Sequence, residues 1–102
     1  MNQKFLNIIN SSKPVVVDFY ADWCMPCKQI LSELKKVKQD LHGGVKIVKV
    51  NVDRNPYIAT RFKVKSLPTV IVFKEGTARH VVEGVFDAEE LKNVLEKQFK
   101  ES

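Results

Sequence analysis

Six consecutive residues, Val15-Val16-Val17-Asp18-Phe19-Tyr20, decide most of what this chain can become. The run is nearly all apolar or aromatic and opens on three β-branched valines, the composition of an extended strand. A strand with one wet face alternates apolar and polar side chains, whereas an almost unbroken apolar run belongs to a strand buried on both faces. Such a strand needs helices packed above and below its sheet. Asp18 interrupts the run, and its carboxyl must enter the interior with its neighbours.

The remaining segments supply those layers. Phe5, Leu6, Ile8 and Ile9 follow helical spacing, and Asn10-Ser11-Ser12-Lys13-Pro14 reads as a turn. Ile30, Leu34, Val37 and Leu41 recur at i, i+4, i+7 and i+11, one face of a helix ended by Gly43-Gly44. Val45 to Val52 alternates, with Val48, Val50 and Val52 on one side and Lys49 and Asn51 on the other, as in a second strand. Asn55-Pro56 suits a helix start, with Asn as cap and Pro in the first helical position, and the short helix should carry Ile58 and Phe62 inward. Thr69 to Lys74 is a third strand, Glu75-Gly76 a turn, and Arg79 to Glu83 a fourth strand. Ala88, Leu91, Val94, Leu95 and Phe99 form the stripe of a closing helix capped by Asp87. The order α-β-α-β-α-β-β-α requires a parallel pair with a right-handed crossover, followed by an antiparallel pair. The fold class is α/β, three layers with a central mixed sheet.

Only two cysteines occur, and both fall in Trp23-Cys24-Met25-Pro26-Cys27-Lys28, between the first strand and the following helix. Small secreted domains spread several bridges along the chain to staple a weak core. A bridge here closes only a tiny loop and stabilises little through chain entropy. The pair is better explained by chemistry: two thiols this close can exchange two hydrogens for a sulfur–sulfur bond and back. The alternative is half of a zinc site, but zinc commonly takes four ligands at set spacings. His42 and His80 are the only histidines, far apart in sequence, and read as a helix-end residue and a strand surface residue. No metal site is expected.

The 102 residues fit one small domain, 1–102, and a hydrophobic content of 44% allows a packed core. No run approaches the length needed to span a bilayer. Residues 1–13 lack the apolar core and cleavage site of a signal peptide, so a cytoplasmic location is the simplest reading unless a leader has been removed. The net charge is +5, with Lys35, Lys36 and Lys38 clustered and Lys46 and Lys49 further on. A solvated lysine face accounts for this; no basic–aromatic interleaving points to nucleic acid, and no nucleic-acid or membrane partner is expected.

Over nearly its whole length the chain resembles the thioredoxin family. Asp18-Phe19-Tyr20-Ala21-Asp22-Trp23-Cys24-Met25-Pro26-Cys27-Lys28 is similar to the family's active-site segment, and Val48-Lys49-Val50-Asn51-Val52-Asp53 to its next strand. Ser66-Leu67-Pro68-Thr69 resembles the loop that carries the family's cis-proline, and Gly84 falls where the family has a glycine beside the active site. Three departures accompany these matches. Met25 replaces the usual glycine between the cysteines, Ser32 stands where many members place a helix-kinking proline, and the family's first strand has no counterpart. The resemblance therefore implies a four-stranded sheet in the order 2-1-3-4, with the Val45–Val52 strand at a bare edge whose lysines discourage pairing. A monomer is expected, with dimerisation through that edge as the alternative.

By the same resemblance, Cys24 lies at the helix N-terminus, where unpaired N–H groups favour its thiolate, the form that attacks disulfides. Pro26 is tolerated in that first turn, and Cys27, one turn deeper and less exposed, resolves the mixed disulfide. Burial should raise the Asp18 pKa toward neutrality, fitting it to take the Cys27 proton directly or through water; the alternative is a structural carboxyl held by a hydrogen bond. Lys49 matches a family lysine that neighbours this carboxylate and reads equally well as an exposed strand lysine. Pro68 is expected to be cis, turning the Leu67 backbone outward for an extended substrate. Trp23, Met25, Pro26, Leu67, Gly84 and Val85 then form an apolar docking patch.

The implied activity is reduction of disulfides in target proteins, with no bound cofactor and with thioredoxin reductase restoring the dithiol from NADPH. Met25 sits where reduction potential is tuned, so an oxidase or isomerase is the competing enzyme reading. Pro26 weighs against it, because such enzymes often carry His beside the second cysteine. A docking module indifferent to redox state is the third reading, and the intact cysteines argue against that.

Overall fold

Val15–Tyr20 forms the central strand β1, and every residue from Val15 to Phe19 is buried. The computed structural model describes residues 3–100. In chain order its elements are α1 (Gln3–Ile9), β1 (Val15–Tyr20), α2 (Met25–Gln29), α3 (Leu31–Asp40), β2 (Lys46–Asn51), α4 (Pro56–Arg61), β3 (Thr69–Lys74), β4 (Thr77–Glu83) and α5 (Ala88–Lys100). The sheet order is β2-β1-β3-β4. β1 and β2 run parallel from the pair Val15–Lys46 to the pair Tyr20–Asn51, while β1–β3 and β3–β4 are antiparallel.

The period of two along each strand divides the core. Val16, Val70 and Val72 face Leu34, Val37, Leu91 and Leu95 of α3 and α5. Val15, Val17, Phe19, Ile71 and Phe73 face Phe5, Ile9 and Ile58 of α1 and α4. Phe62 joins the second layer, its ring centroid 5.8 Å from Phe5 and 5.1 Å from Phe73. By the same alternation Asp18 lies on the Val16 side, beneath the helices that follow the cysteines.

Four local expectations are corrected. The Ile30–Leu41 spacing predicts one continuous helix, but it divides at Ile30, which is buried and takes ψ −6° between α2 and α3. The division occurs without a proline, and Ser32 sits inside the first turn of α3. Asn55 precedes α4 but makes no side-chain cap bond; its amide instead donates to the Asn51 carbonyl at 3.0 Å. Phe99 is 44% exposed. The inward face of α5 passes from Leu91 and Leu95 to Gln98, whose carbonyl accepts from Lys74 Nζ at 2.7 Å. Finally, β4 begins two residues earlier than expected, because Glu75 and Gly76, with φ +54° and +80°, make the tight left-handed turn that a two-residue hairpin requires.

Asp87 caps α5 as expected, its Oδ1 accepting from the Glu90 N–H at 2.9 Å. Asp87→Ala leaves that donor unpaired and should destabilise the fold by about 1 kcal/mol. Urea denaturation should show the loss as a lowered midpoint with an unchanged slope.

Candidate active site

The site is assembled where β1 and β2 end and α2 begins, the carboxyl end of the parallel pair. Residues Ala21 to Trp23 turn the chain, and the Cys24 N–H donates to the Ala21 carbonyl at 3.1 Å. Cys24 is the N-cap of α2, with extended backbone, and its Sγ accepts the Cys27 N–H at 3.2 Å. Pro26 falls in the first turn, where a missing N–H has no consequence. Cys24 and Cys27 form a disulfide, their Cα atoms 5.3 Å apart. The expected contrast in exposure between them is absent: each is 3% exposed, because both pack with Ala21 against Leu67, Val52 and Tyr20.

Around this buried bridge the surface is apolar and open. Trp23, Met25 and Val85 are 70%, 65% and 58% exposed. Pro26 is exposed beside them, while Leu67 is half-buried. The Leu67–Pro68 bond is cis, and the Pro68 carbonyl accepts the Gly84 N–H at 2.9 Å, which ties the loop before β3 to the loop after β4. Gly84 has φ +87° and nothing within 4 Å of where a Cβ would stand, so backbone conformation rather than crowding favours glycine there. Of the anticipated patch, Leu67 packs directly on the bridge, Trp23, Met25 and Pro26 flank its cysteines in sequence, and Gly84 is hydrogen-bonded to the residue after Leu67.

Asp53 and Asn51 were not singled out from sequence, yet both hold this surface. Asp53 Oδ2 accepts from Trp23 Nε1 at 2.9 Å and fixes the indole across the end of β2. Asn51 is buried, and its Oδ1 accepts from the N–H groups of Asp53 at 2.9 Å and Arg54 at 3.2 Å, shaping the turn that presents Asp53. The signal available was position: polar residues directly after a parallel strand lie at the end of the sheet where sites form.

Asp18 is fully buried, and neither carboxylate oxygen has a hydrogen-bond partner among the described residues. Desolvation pushes its pKa up to about 6, opposed by the weaker attraction of Lys49. Lys49 is the β2 partner of Asp18 in register, but its ammonium rests 4.5 Å from the centroid of the Tyr20 ring. A cleft of about 260 Å³ opens between Cys27, Lys28, Tyr20 and Lys49, large enough to admit water beside the inner sulfur. A second, of about 320 Å³, lies on the other side between Trp23, Val64 and Leu67. Among the described residues no group of three or more His, Cys, Asp or Glu side chains is placed to hold a metal ion.

Comparison with known proteins agrees with this geometry. The thioredoxin family model matches residues 1–97. A thioredoxin of Griffithsia pacifica is 43% identical over 93 residues, covering 91% of this chain and 85% of the relative. Thioredoxin 1 of a Nostoc species is 38% identical over 90 residues, 88% of this chain and 84% of the relative. Among solved structures, oxidised mitochondrial thioredoxin 3 of Saccharomyces cerevisiae superposes with a TM-score of 0.83 at 33% identity, covering 92% of this chain and 87% of its own. A mutant thioredoxin of Halobacterium salinarum gives 0.84 at 29% identity, with 96% and 86% covered. A match that spans almost the entire sequence, with relatives this similar, shows that the chain belongs to the thioredoxin family and is a protein-disulfide oxidoreductase.

Proposed function

We propose that the protein acts as a reductant of disulfides in other proteins, with Cys24 as the attacking sulfur. The observation that carries this reading is the Cys24 side chain at the N-cap of α2, where its sulfur already accepts a helix N–H. In the reduced state the same N–H and the positive end of the helix stabilise a thiolate. That thiolate attacks one sulfur of a target disulfide. The target bond breaks, a mixed disulfide forms, and the other target sulfur leaves and takes up a proton. Asp18 receives the Cys27 proton, with water in the cleft beside Cys27 as a carrier. The Cys27 thiolate then attacks Cys24, closing the internal bridge and releasing the second target sulfur, which is protonated in turn. Two electrons and two protons have passed to the target.

Trp23, Met25, Pro26, Leu67, Gly84 and Val85 form the surface on which the target docks, with the Leu67 backbone beside the cis-proline offered to an extended segment. Lys49 supports the site by drawing down the Asp18 pKa. NADPH through thioredoxin reductase returns two electrons to the bridge. In this reading the protein works in the cytoplasm as a one-domain electron carrier without a bound cofactor.

Cys27→Ser separates the two halves of the cycle. With the resolving sulfur gone, the mixed disulfide should accumulate. Under mild oxidation the variant should capture target proteins in complexes that a reductant dissolves on a gel. Recovery of no such complexes would remove Cys27 from the resolving role.

A further inference from the structure

β2 is an edge strand, and its free side continues into a groove. The N–H groups of Lys46 and Val52 donate toward the β1 side, to Pro14 at 3.0 Å and Tyr20 at 2.9 Å. Backbone groups alternate along a strand, so those of Ile47, Lys49 and Asn51 point away from the sheet. The Asn51 carbonyl is taken by Asn55, which leaves Ile47 and Lys49 as the open pair among the described residues. Beside them lies a groove of about 270 Å³ between α3 and β2. Leu31, Leu34 and Ile47 make its floor, and Lys35, Lys38 and Lys49 its rim, with no acidic residue in the lining. It shares Leu31 and Lys49 with the cleft beside Cys27, whose lining adds Lys28 and one carboxylate, Asp22, so the two adjoin as a track whose lysines outnumber its acids.

We infer that this track is a docking site for an extended acidic segment of a partner protein, one in which apolar and acidic residues alternate. The segment adds as a strand to β2, bonding the Ile47 and Lys49 backbone, sets apolar side chains against Leu31 and Ile47, and meets the lysine rim with its carboxylates. A second copy of this chain fits poorly. An antiparallel copy of β2 brings its own Lys49 to the face that carries this rim, and like charges set opposite each other across a strand pair repel. The lysines thus turn the open edge away from self-association while leaving it attractive to an acidic strand. This site lies apart from the Trp23–Val85 patch and does not depend on the order of steps at the cysteines.

The probe is a fluorescein-labelled octapeptide of alternating glutamate and valine, titrated against the full-length oxidised protein by fluorescence anisotropy and by amide NMR. Saturable binding is expected, with shifted and exchange-protected amides at Ile47 and Lys49. The Lys35→Glu/Lys38→Glu variant should weaken it on the order of tenfold while keeping normal insulin-disulfide reduction. Two peptides N-methylated at alternate residues should differ, because only one set of N–H groups faces β2. Several outcomes would overturn the inference. These are equal binding by oligoglutamate without apolar residues, shifts confined to Trp23 and Cys24, tighter binding of an oligothymidylate to the same residues, or a β2-mediated dimer by sedimentation.

Discussion

Cys24→Ser is expected to lower insulin-disulfide reduction by at least about a thousandfold, the scale of effect seen when a covalent nucleophile is removed. A serine hydroxyl is not ionised at neutral pH, and Cys27 sits within the first turn of α2 rather than at its N-cap, so its sulfur does not hold the N-cap position at which Cys24 Sγ accepts a helix N–H. No other cysteine exists to take over. The variant also isolates chemistry from folding. Serine is among the preferred N-cap residues, so its Oγ can accept the Cys27 N–H that Cys24 Sγ accepts now. The bridge that is lost joins residues three apart and constrains the unfolded chain little. An unchanged denaturation midpoint beside abolished turnover is therefore the expected pair of results. In the reduced parent, Cys24 should alkylate with iodoacetamide faster than free cysteine at neutral pH. Turnover that survives in the serine variant, or a Cys24 thiol no more reactive than free cysteine, would displace it as the attacking group.

The fold was legible because its strands carry unambiguous patterns. β1 and β3 are near-continuous apolar runs, and both are buried along their lengths. Their boundaries were therefore readable to the residue. Helix ends were less so. Asn55 has the composition of a cap, but its amide finds the Asn51 carbonyl, a partner that only the folded turn after β2 supplies. Phe99 continues the apolar spacing of α5, yet the helix turns Gln98 inward, and composition cannot say which of two adjacent residues a drifting stripe will bury. In the site, Cys24, Cys27 and Asp18 stood out because each is anomalous where it sits: two thiols in a short turn, and a carboxyl among valines. Asp53 has no such anomaly. Its role depends on the Trp23 indole reaching it across 30 positions of sequence, a contact that no local pattern encodes. Likewise, an open backbone pair at Ile47 and Lys49 becomes visible only once β2 is known to end the sheet.

The pH dependence of stability should be dominated by Asp18, and its sign follows from the direction of the shift. The folded-state pKa of about 6 lies above the ordinary 3.8. Between those values the native protein holds a proton that the unfolded chain has released, so stability falls as pH rises through that window. Below it the carboxyl is neutral in both states and carries no penalty. Above it the buried charge is carried in full, at a cost of roughly 3 kcal/mol. Asp18→Ala removes the titrating group. Its stability relative to the parent should improve by about that much between pH 4 and pH 8, whatever constant cost the small cavity adds. Urea denaturation across that range reads the difference directly, and parallel curves for the two proteins would mean that the carboxyl is solvated or paired. The same substitution should slow disulfide reduction by about 10- to 100-fold at pH 7, where the parent's carboxylate is ionised and ready to take the Cys27 proton. The deficit should shrink toward alkaline pH, where solvent removes that proton unaided. A protein that is steadier without its carboxylate, yet slower only near neutrality, is what a buried base retained for proton transfer requires. A rate profile unaffected by the substitution would reduce Asp18 to an unfavourable interior charge with no part in the exchange.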